Sequence, residues 1–320
     1  MIEQGISAIE AARDRLSKAA YRTPVLQFDL AAVRTVDLVV KCENLQRTGS
    51  FKIRGAYNLI AALPPERLAH GVVAYSSGNH AQGVACAAAM LGIQATIVMP
   101  EDAVWTKLEA TRRFGAEVIF AGTDSETRRG VAENLAEARG ATLVPPYNHQ
   151  TIIAGQGTIG LEILDQVPDV ETVVVPIGGG GLIAGVAQAI KLSRPSVRVV
   201  GAEPDGAADA GASFRSGHIV ELENVETIAD GLRARRVGEL PFASIQRFVD
   251  DIAAVPDSAI LETVRSLLLT MHLVVEPSGA VATAAALAGA ARGRTVAVLS
   301  GGNIDPALLS TLAADRAPRD

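Results

Sequence analysis

The sequence predicts an α/β protein built on two doubly wound, mostly parallel sheets, one larger and one smaller. Three observations carry that expectation. Apolar β-branched runs alternate with helix-forming stretches almost from end to end. Short turns containing Gly or Pro separate them, as in βαβ units. The 320 residues are 48% hydrophobic but 4% aromatic, with 30 glycines, which suits closely packed helices on strands buried on both faces.

In chain order, Ser7-Ala8-Ile9-Glu10 has the spacing of a capping box and predicts a helix to about Ala20. Buried strands are predicted at Leu38–Cys42, Val72–Tyr75, Ala95–Met99, Glu117–Phe120, Thr172–Val175, Val197–Gly201 and Thr295–Leu299. Helices are predicted at Phe51–Leu63, His80–Leu91, Thr106–Phe114, Ser125–Arg139 and Leu182–Leu192. The series from Gly71 to Pro146 is self-contained and closes at Pro145-Pro146, and a second begins near Ile152, hence two sheets. No solenoid-length repeat or low-complexity linker interrupts them.

Composition narrows the function classes. The net charge of −6 is modest and the basic residues form no stripe, which argues against nucleic acid as a partner. The polar start lacks a secretory signal, and Gly, Pro or charge breaks every apolar run before bilayer-spanning length. Cys42 and Cys86 read as small buried hydrophobes rather than a disulfide or metal pair. A soluble protein of the reducing cytoplasm is expected, with no membrane partner.

Ligands of open α/β sheets bind beyond the carboxyl ends of the strands, so the loops after those strands are expected to carry the chemistry. In the first, Thr48-Gly49-Ser50-Phe51-Lys52, Lys52 stands at a helix start, where the helix dipole and desolvation both disfavour its charge. A lysine with a lowered pKa suits covalent attachment to an aldehyde. Taken alone, a lysine there is more often an ordinary exposed one. In the second, Ser76-Ser77-Gly78-Asn79-His80, hydroxyls and free N–H groups at a helix start make an anion site fit for a carboxylate, where a plain N-cap would explain only one of them. The third, Gly178-Gly179-Gly180-Gly181, can bring several backbone N–H groups onto a phosphate. It also fits a dinucleotide fingerprint, with Gly179, Gly181 and Ala184 as G-x-G-x-x-A and Glu203 ending the next strand. On that segment alone, a nicotinamide-dependent oxidoreductase or a simple nucleotide binder stays open. The fourth loop, Ser300-Gly301-Gly302-Asn303, is by itself a plain turn.

Together these loops resemble the fold type II pyridoxal-phosphate enzymes, in particular the serine/threonine dehydratase and serine racemase branch. The resemblance rests on Lys41-Cys42-Glu43-Asn44-Leu45-Gln46 leading into Thr48–Ala56. The Ser76–His80 loop, Ile153–Thr158, the tetraglycine, Glu276-Pro277-Ser278-Gly279-Ala280 and Ser300–Asn303 follow in the family's order. It covers nearly the whole chain. It implies a tryptophan synthase β-like fold with the cofactor between a large cofactor-binding domain (1–70 and 149–320) and a small substrate-contacting domain (71–148). It further implies that Lys52 carries the cofactor as an imine and removes the substrate α-proton, that Phe51 packs near the ring, and that Asn79 bonds the 3′ oxygen. Gly178, Gly179, Gly180 and Gly181 would hold the phosphate. Ser300 would meet the pyridine nitrogen, a hydroxyl in place of a carboxylate. Ser76 and His80 would orient the substrate carboxylate, and Ser77 would face Lys52 across the cofactor plane. Glu203, the carbonyl of Ala207 and Asp209 match the branch's divalent-cation loop, for Mg2+ with Mn2+ or Ca2+ as alternatives.

The leading expectation is an ammonia-lyase that converts serine, threonine or 3-hydroxyaspartate to a 2-oxo acid and ammonia. Racemisation of serine or aspartate on the same site is the runner-up. Arg128 aligns loosely with a family arginine near the active site and could hold an acidic side chain, though a surface arginine explains it equally well. The resemblance also implies a homodimer. It leaves no room after the last motif for the C-terminal regulatory domain of biosynthetic threonine deaminases.

Overall fold

The computed structural model describes residues 5–28 and 36–314. Ten strands form two sheets: β1 Val25–Gln27, β2 Leu38–Cys42, β3 Val72–Tyr75, β4 Ala95–Met99, β5 Glu117–Phe120, β6 Thr142–Leu143, β7 Thr172–Pro176, β8 Arg198–Pro204, β9 Asp251–Val255 and β10 Thr295–Leu299. One sheet has the order β1-β2-β10-β7-β8-β9 and the other β5-β4-β3-β6. Every pairing is parallel except the short edge pair of β1 with β2. All seven predicted strands are present, within one residue at the start and three at the end.

The helices that matter here are α1 Ile6–Leu16, α2 Lys52–Ile60, α3 Pro65–Leu68, α4 Asn79–Leu91, α5 Trp105–Arg112, α6 Ser125–Arg139, α7 Gln150–Gln166, α8 Gly181–Ser193 and α9 Asp209–Ser216. Strands β7 and β10 are buried at every position, as expected for central parallel strands covered on both faces. Val173, Val174 and Val175 are fully buried, each contributing about 1.5–3 kcal/mol of transfer free energy.

The first predicted helix needs correction at both ends. Ser7 lies inside α1, and Gly5 occupies the N-cap position with no side-chain cap. Partly buried Ile6 packs against the cluster of Ile9, Ala12, Ala154, Leu161 and Ala189, so apolar contact rather than a serine cap sets the start. Buried Leu16 closes the stripe, and the helix stops there rather than near Ala20.

Helix α7 is the least expected element, because Gly155, Gly157 and Gly160 lower its intrinsic propensity. Close approach explains them. A methyl group on Gly155 would lie 2.7 Å from the carbonyl of Arg54, and one on Gly185 of α8 would lie 2.2 Å from that of Ile153. Helices α2, α7 and α8 therefore stack almost backbone to backbone and hold the start of α2 firmly.

Candidate active site

The predicted loops converge at the carboxyl ends of the strands. The Lys52 and Ser300 loops are laced together: Ser50 bridges Gly301, Phe51 N–H donates to the Ser300 carbonyl at 3.2 Å, and Gly302 N–H donates to the Gly49 carbonyl at 2.8 Å. Asn303 Nδ2 donates to Asn79 Oδ1 at 2.8 Å and to the Thr48 carbonyl at 2.9 Å, tying in the start of α4. Asn79 Nδ2 in turn donates to the buried carboxylate of Glu276.

Lys52 opens α2. Its Nζ donates to the Pro146 carbonyl at 2.9 Å and lies 5.1 Å from the centre of the Phe51 ring. Burial lowers its pKa to about 8, so a sizeable neutral fraction exists near pH 8. One residue beyond Pro146, the Tyr147 ring covers Gly179, where an added methyl group would lie 2.2 Å from it, and the Tyr147 Cβ lies 2.8 Å from the position of a methyl group on Gly181. Lys52 and the tetraglycine are thus joined through Pro146-Tyr147, a link that the sequence reading missed.

The tetraglycine leads from β7 into α8 and presents that helix's free N–H groups. Gly180 has φ +87°, a left-handed conformation open to glycine at little strain. Gly178 abuts the Gly231 carbonyl, and Gly231 N–H donates to Ser278 Oγ at 2.8 Å. Ser300, 5% exposed, donates to the Ser278 carbonyl at 3.3 Å.

Ser76 Oγ accepts the Gly78 N–H at 3.1 Å, while Ser77 is exposed at the tip of the same loop. His80 is placed differently from the others. Its Nε2 engages the Val144 carbonyl at 2.9 Å, and burial, with the nearby charge of Lys52, pushes its pKa down to about 3. The imidazole is therefore neutral and turned to the protein interior. Arg128 donates to the Thr123 carbonyl at 2.8 Å within the turn that opens α6. No described hydrogen bond or ion pair joins it to the other candidates.

Glu203 ends in a carboxylate that accepts the Ala210 and Gly211 N–H groups at 3.1 and 2.9 Å. That commitment to α9 differs from the free carboxylate a ribose would need. Asp209 is 1% exposed, and its Oδ2 is buried with no hydrogen-bond partner. Burial raises both carboxyls, Glu203 to about 8 and Asp209 to about 7. Ala207 is buried beside them in the chain. Among the described residues, no three His, Cys, Asp or Glu side chains form a metal-binding group, so a cation here would rest on two carboxylates and a carbonyl.

Glu276, the first residue of the Glu276–Ala280 motif, carries a carboxylate that faces the site through Asn79. It is 2% exposed, and burial followed by the charge of Asp230 raises its pKa to about 7. A methyl group on Gly301 would lie 2.1 Å from its Oε1 and 3.1 Å from Asn79 Nδ2, which explains the glycine after Ser300.

The residues fit pyridoxal phosphate: a partly buried amine of lowered pKa, a glycine cradle at a helix N-terminus and a hydroxyl-bearing loop lie around one space.

Comparison with known proteins agrees. The sequence matches the family described as "Pyridoxal-phosphate dependent enzyme" over residues 16–301. It is 42% identical to a serine racemase of Oryza sativa subsp. indica over 313 residues, 95% of this chain and 92% of that one. It is 46% identical to an L-threonine ammonia-lyase of Thermotoga maritima over 300 residues, 93% of this chain and 75% of that one. The solved structure of maize serine racemase superposes with a TM-score of 0.91 at 41% identity, covering 96% of each chain.

Proposed function

The chain belongs to the pyridoxal-phosphate-dependent enzyme family, and from that premise we propose that it is an ammonia-lyase (dehydratase) of small β-hydroxy amino acids. Serine, threonine and 3-hydroxyaspartate are its candidate substrates, and racemisation of serine or aspartate is a second activity on the same site. The observation that carries the reading is Lys52, a partly buried amine whose pKa is lowered to about 8, at the meeting point of the Ser76–His80, tetraglycine and Ser300 loops. The family match replaces the nicotinamide reading of the glycine loop.

Bound pyridoxal phosphate supplies an aldehyde to take up the amino group and an electron sink for the α-carbon. Lys52 would hold the cofactor and, as a neutral amine, would take the α-proton. Phe51 would pack beside the cofactor ring. Asn79, fixed by Glu276 and Asn303, meets the 3′ oxygen. Gly178 to Gly181 hold the phosphate with N–H groups at the start of α8. Ser300 would meet the pyridine nitrogen with a hydroxyl rather than a carboxylate, so electron withdrawal would be moderated. The substrate carboxylate is oriented by Ser76 and the N–H groups at the start of α4. His80 supports that loop from below, with its ring on Val144. Ser77, exposed in the same loop, would return or remove a proton on the face away from Lys52. Arg128 is kept as a candidate for an acidic side chain.

Glu203, Ala207 and Asp209 would take a divalent cation, preferably Mg2+. The unpartnered, buried Asp209 Oδ2 supports that assignment, since a hard cation would satisfy it. A homodimer of the reducing cytoplasm completes the reading. Buried free Cys42 and Cys86 agree with that compartment, and among the described residues no helix is long and apolar enough to cross a membrane. Residues 71–148, which carry the smaller sheet, are taken as the substrate-contacting domain.

Steady-state assays of wild type and Ser77→Ala with L-serine, D-serine, L-threonine and 3-hydroxyaspartate, with and without Mg2+, test the reading. Wild type is expected to release 2-oxo acid and ammonia. Ser77→Ala is expected to lose racemisation by about 10²-fold or more, the effect of removing one positioned proton donor, while elimination from the L-isomers persists. Absence of oxo acid from every substrate would refute the ammonia-lyase assignment.

A further inference from the structure

One ion pair among the described residues crosses from the smaller-sheet half to the larger: Lys107 of α5 with Asp230. Lys107 lies in the first turn of α5 and Asp230 in a short turn, one on each side of the site. Lys107 is 7% exposed, and its stem lies over Gly78, the N-cap of α4; a methyl group there would come within 2.8 Å of its Cδ and 3.4 Å of its Nζ. The Lys107 carbonyl accepts from Thr111 Oγ1 at 2.9 Å, which steadies the residue within α5.

Asp230 opens the short turn Asp230–Leu232. The next residue, Gly231, donates to Ser278 Oγ and sets its carbonyl against Gly178 of the tetraglycine. The carboxylate is therefore fixed to the phosphate side of the site, and the ammonium to the side that carries the carboxylate loop. Ser278 Oγ also donates to Asp230 Oδ1 at 3.5 Å, which ties the carboxylate to the segment that follows Glu276. Apolar packing of α4 on α2 joins the two halves beside Lys52, and α5 packs through Leu108 on the same cluster, so a pull on Lys107 is passed to α4.

We infer that Lys107 and Asp230 are positioning residues whose ion pair draws the start of α4 across the site and holds it in the arrangement that binds substrate. The inference rests on the proposed amino-acid site. Lys107 need not touch the substrate; it acts through Gly78 and the loop from Ser76 to Asn79. Without the pair, the binding-competent arrangement is a smaller fraction of the free enzyme. Apparent affinity falls by that fraction, while the bound enzyme, already closed, turns over as before.

The test uses holoenzyme with Asp230→Asn, Asp230→Glu and Lys107→Gln. Asp230→Asn and Lys107→Gln each disrupt the pair from one side, so either suffices should the other fail to fold. Both are expected to raise KM by about tenfold or more, the loss of one charge-assisted contact at about 1.4 kcal/mol per tenfold, with kcat within about twofold. Asp230→Glu should restore most of the affinity. A fall in kcat at constant KM, or equal behaviour of the Asn and Glu variants, would overturn the inference. Trp105, the sole tryptophan and 67% exposed, lies two residues before Lys107 and gives a signal independent of turnover. Energy transfer from Trp105 to the bound cofactor should weaken in Asp230→Asn and stay unchanged in Asp230→Glu; equal transfer in all three proteins would sink the latch. Failure of wild type to act on any amino acid would instead count against the ammonia-lyase reading, and the Trp105 signal would still judge the ion pair.

Discussion

Lys52→Ala is expected to abolish turnover while leaving the fold intact. The loss is put at about 10⁴-fold, the upper end for a positioned general base, with covalent capture of the cofactor lost as well. The fold should survive because the side chain contributes little to packing. Its amine makes one hydrogen bond, to the Pro146 carbonyl, and its stem lies along Phe51. Removing it also relieves a partly buried cation with no described carboxylate partner, so thermal stability should hold or rise slightly. Purified Lys52→Ala should therefore be colourless, inactive and as resistant to urea as wild-type apoprotein. Residual activity within tenfold of wild type would remove Lys52 from the mechanism.

The second large effect lies two residues further on. Arg54 is 1% exposed and sits between two carboxylates. It donates to both oxygens of Glu43 at 2.8 Å and to both of Glu162 at 2.7 and 3.0 Å, and also reaches Thr158 Oγ1 and the Tyr21 carbonyl. Lys41 completes the set, donating to Glu162 at 2.6 Å, the Thr23 carbonyl at 2.7 Å and Gln166 at 2.8 Å. Two positive and two negative groups thus balance in a nearly dry space that joins β2, α2 and α7. Arg54→Met leaves two carboxylates against one lysine. Breaking a buried pair from one side costs about 3–5 kcal/mol, because the remaining charge is stranded. A clear drop in the urea midpoint is expected, together with weaker retention of the cofactor as the start of α2 loosens. Adding Glu43→Gln to Arg54→Met should recover part of the loss, since it removes the stranded charge. A midpoint unchanged by Arg54→Met would show that the network contributes little.

The strands were legible because burial on both faces demands largely apolar, β-branched runs, and β4, β7 and β10 are such runs, as is β2 apart from Lys41. The edges were not. β1 is three residues long, and β9 is half exposed, so neither carries a strong period. Helix α7 was hidden by glycines whose reason lies in α2 and α8 rather than in its own sequence.

Within the site, the loops with unusual local chemistry were readable: a lysine at a helix start, clustered Ser and Asn residues, and four successive glycines. Lys107 and Tyr147 were not, because neither has unusual local chemistry until the fold brings it to a partner distant in sequence. Pro146-Tyr147 could have been suspected from its place at the boundary between the two strand–helix series. His80 shows the reverse limit. The sequence placed it in the right loop, but only the packing of α4 turned its ring to Val144.

The most direct test of the central claim is to reduce the yellow holoenzyme with borohydride, digest it and locate the cofactor by mass spectrometry. The account predicts one pyridoxyl phosphate adduct, on the peptide containing Phe51-Lys52-Ile53. Loss of colour with the adduct on another lysine, or no adduct at all, would contradict it.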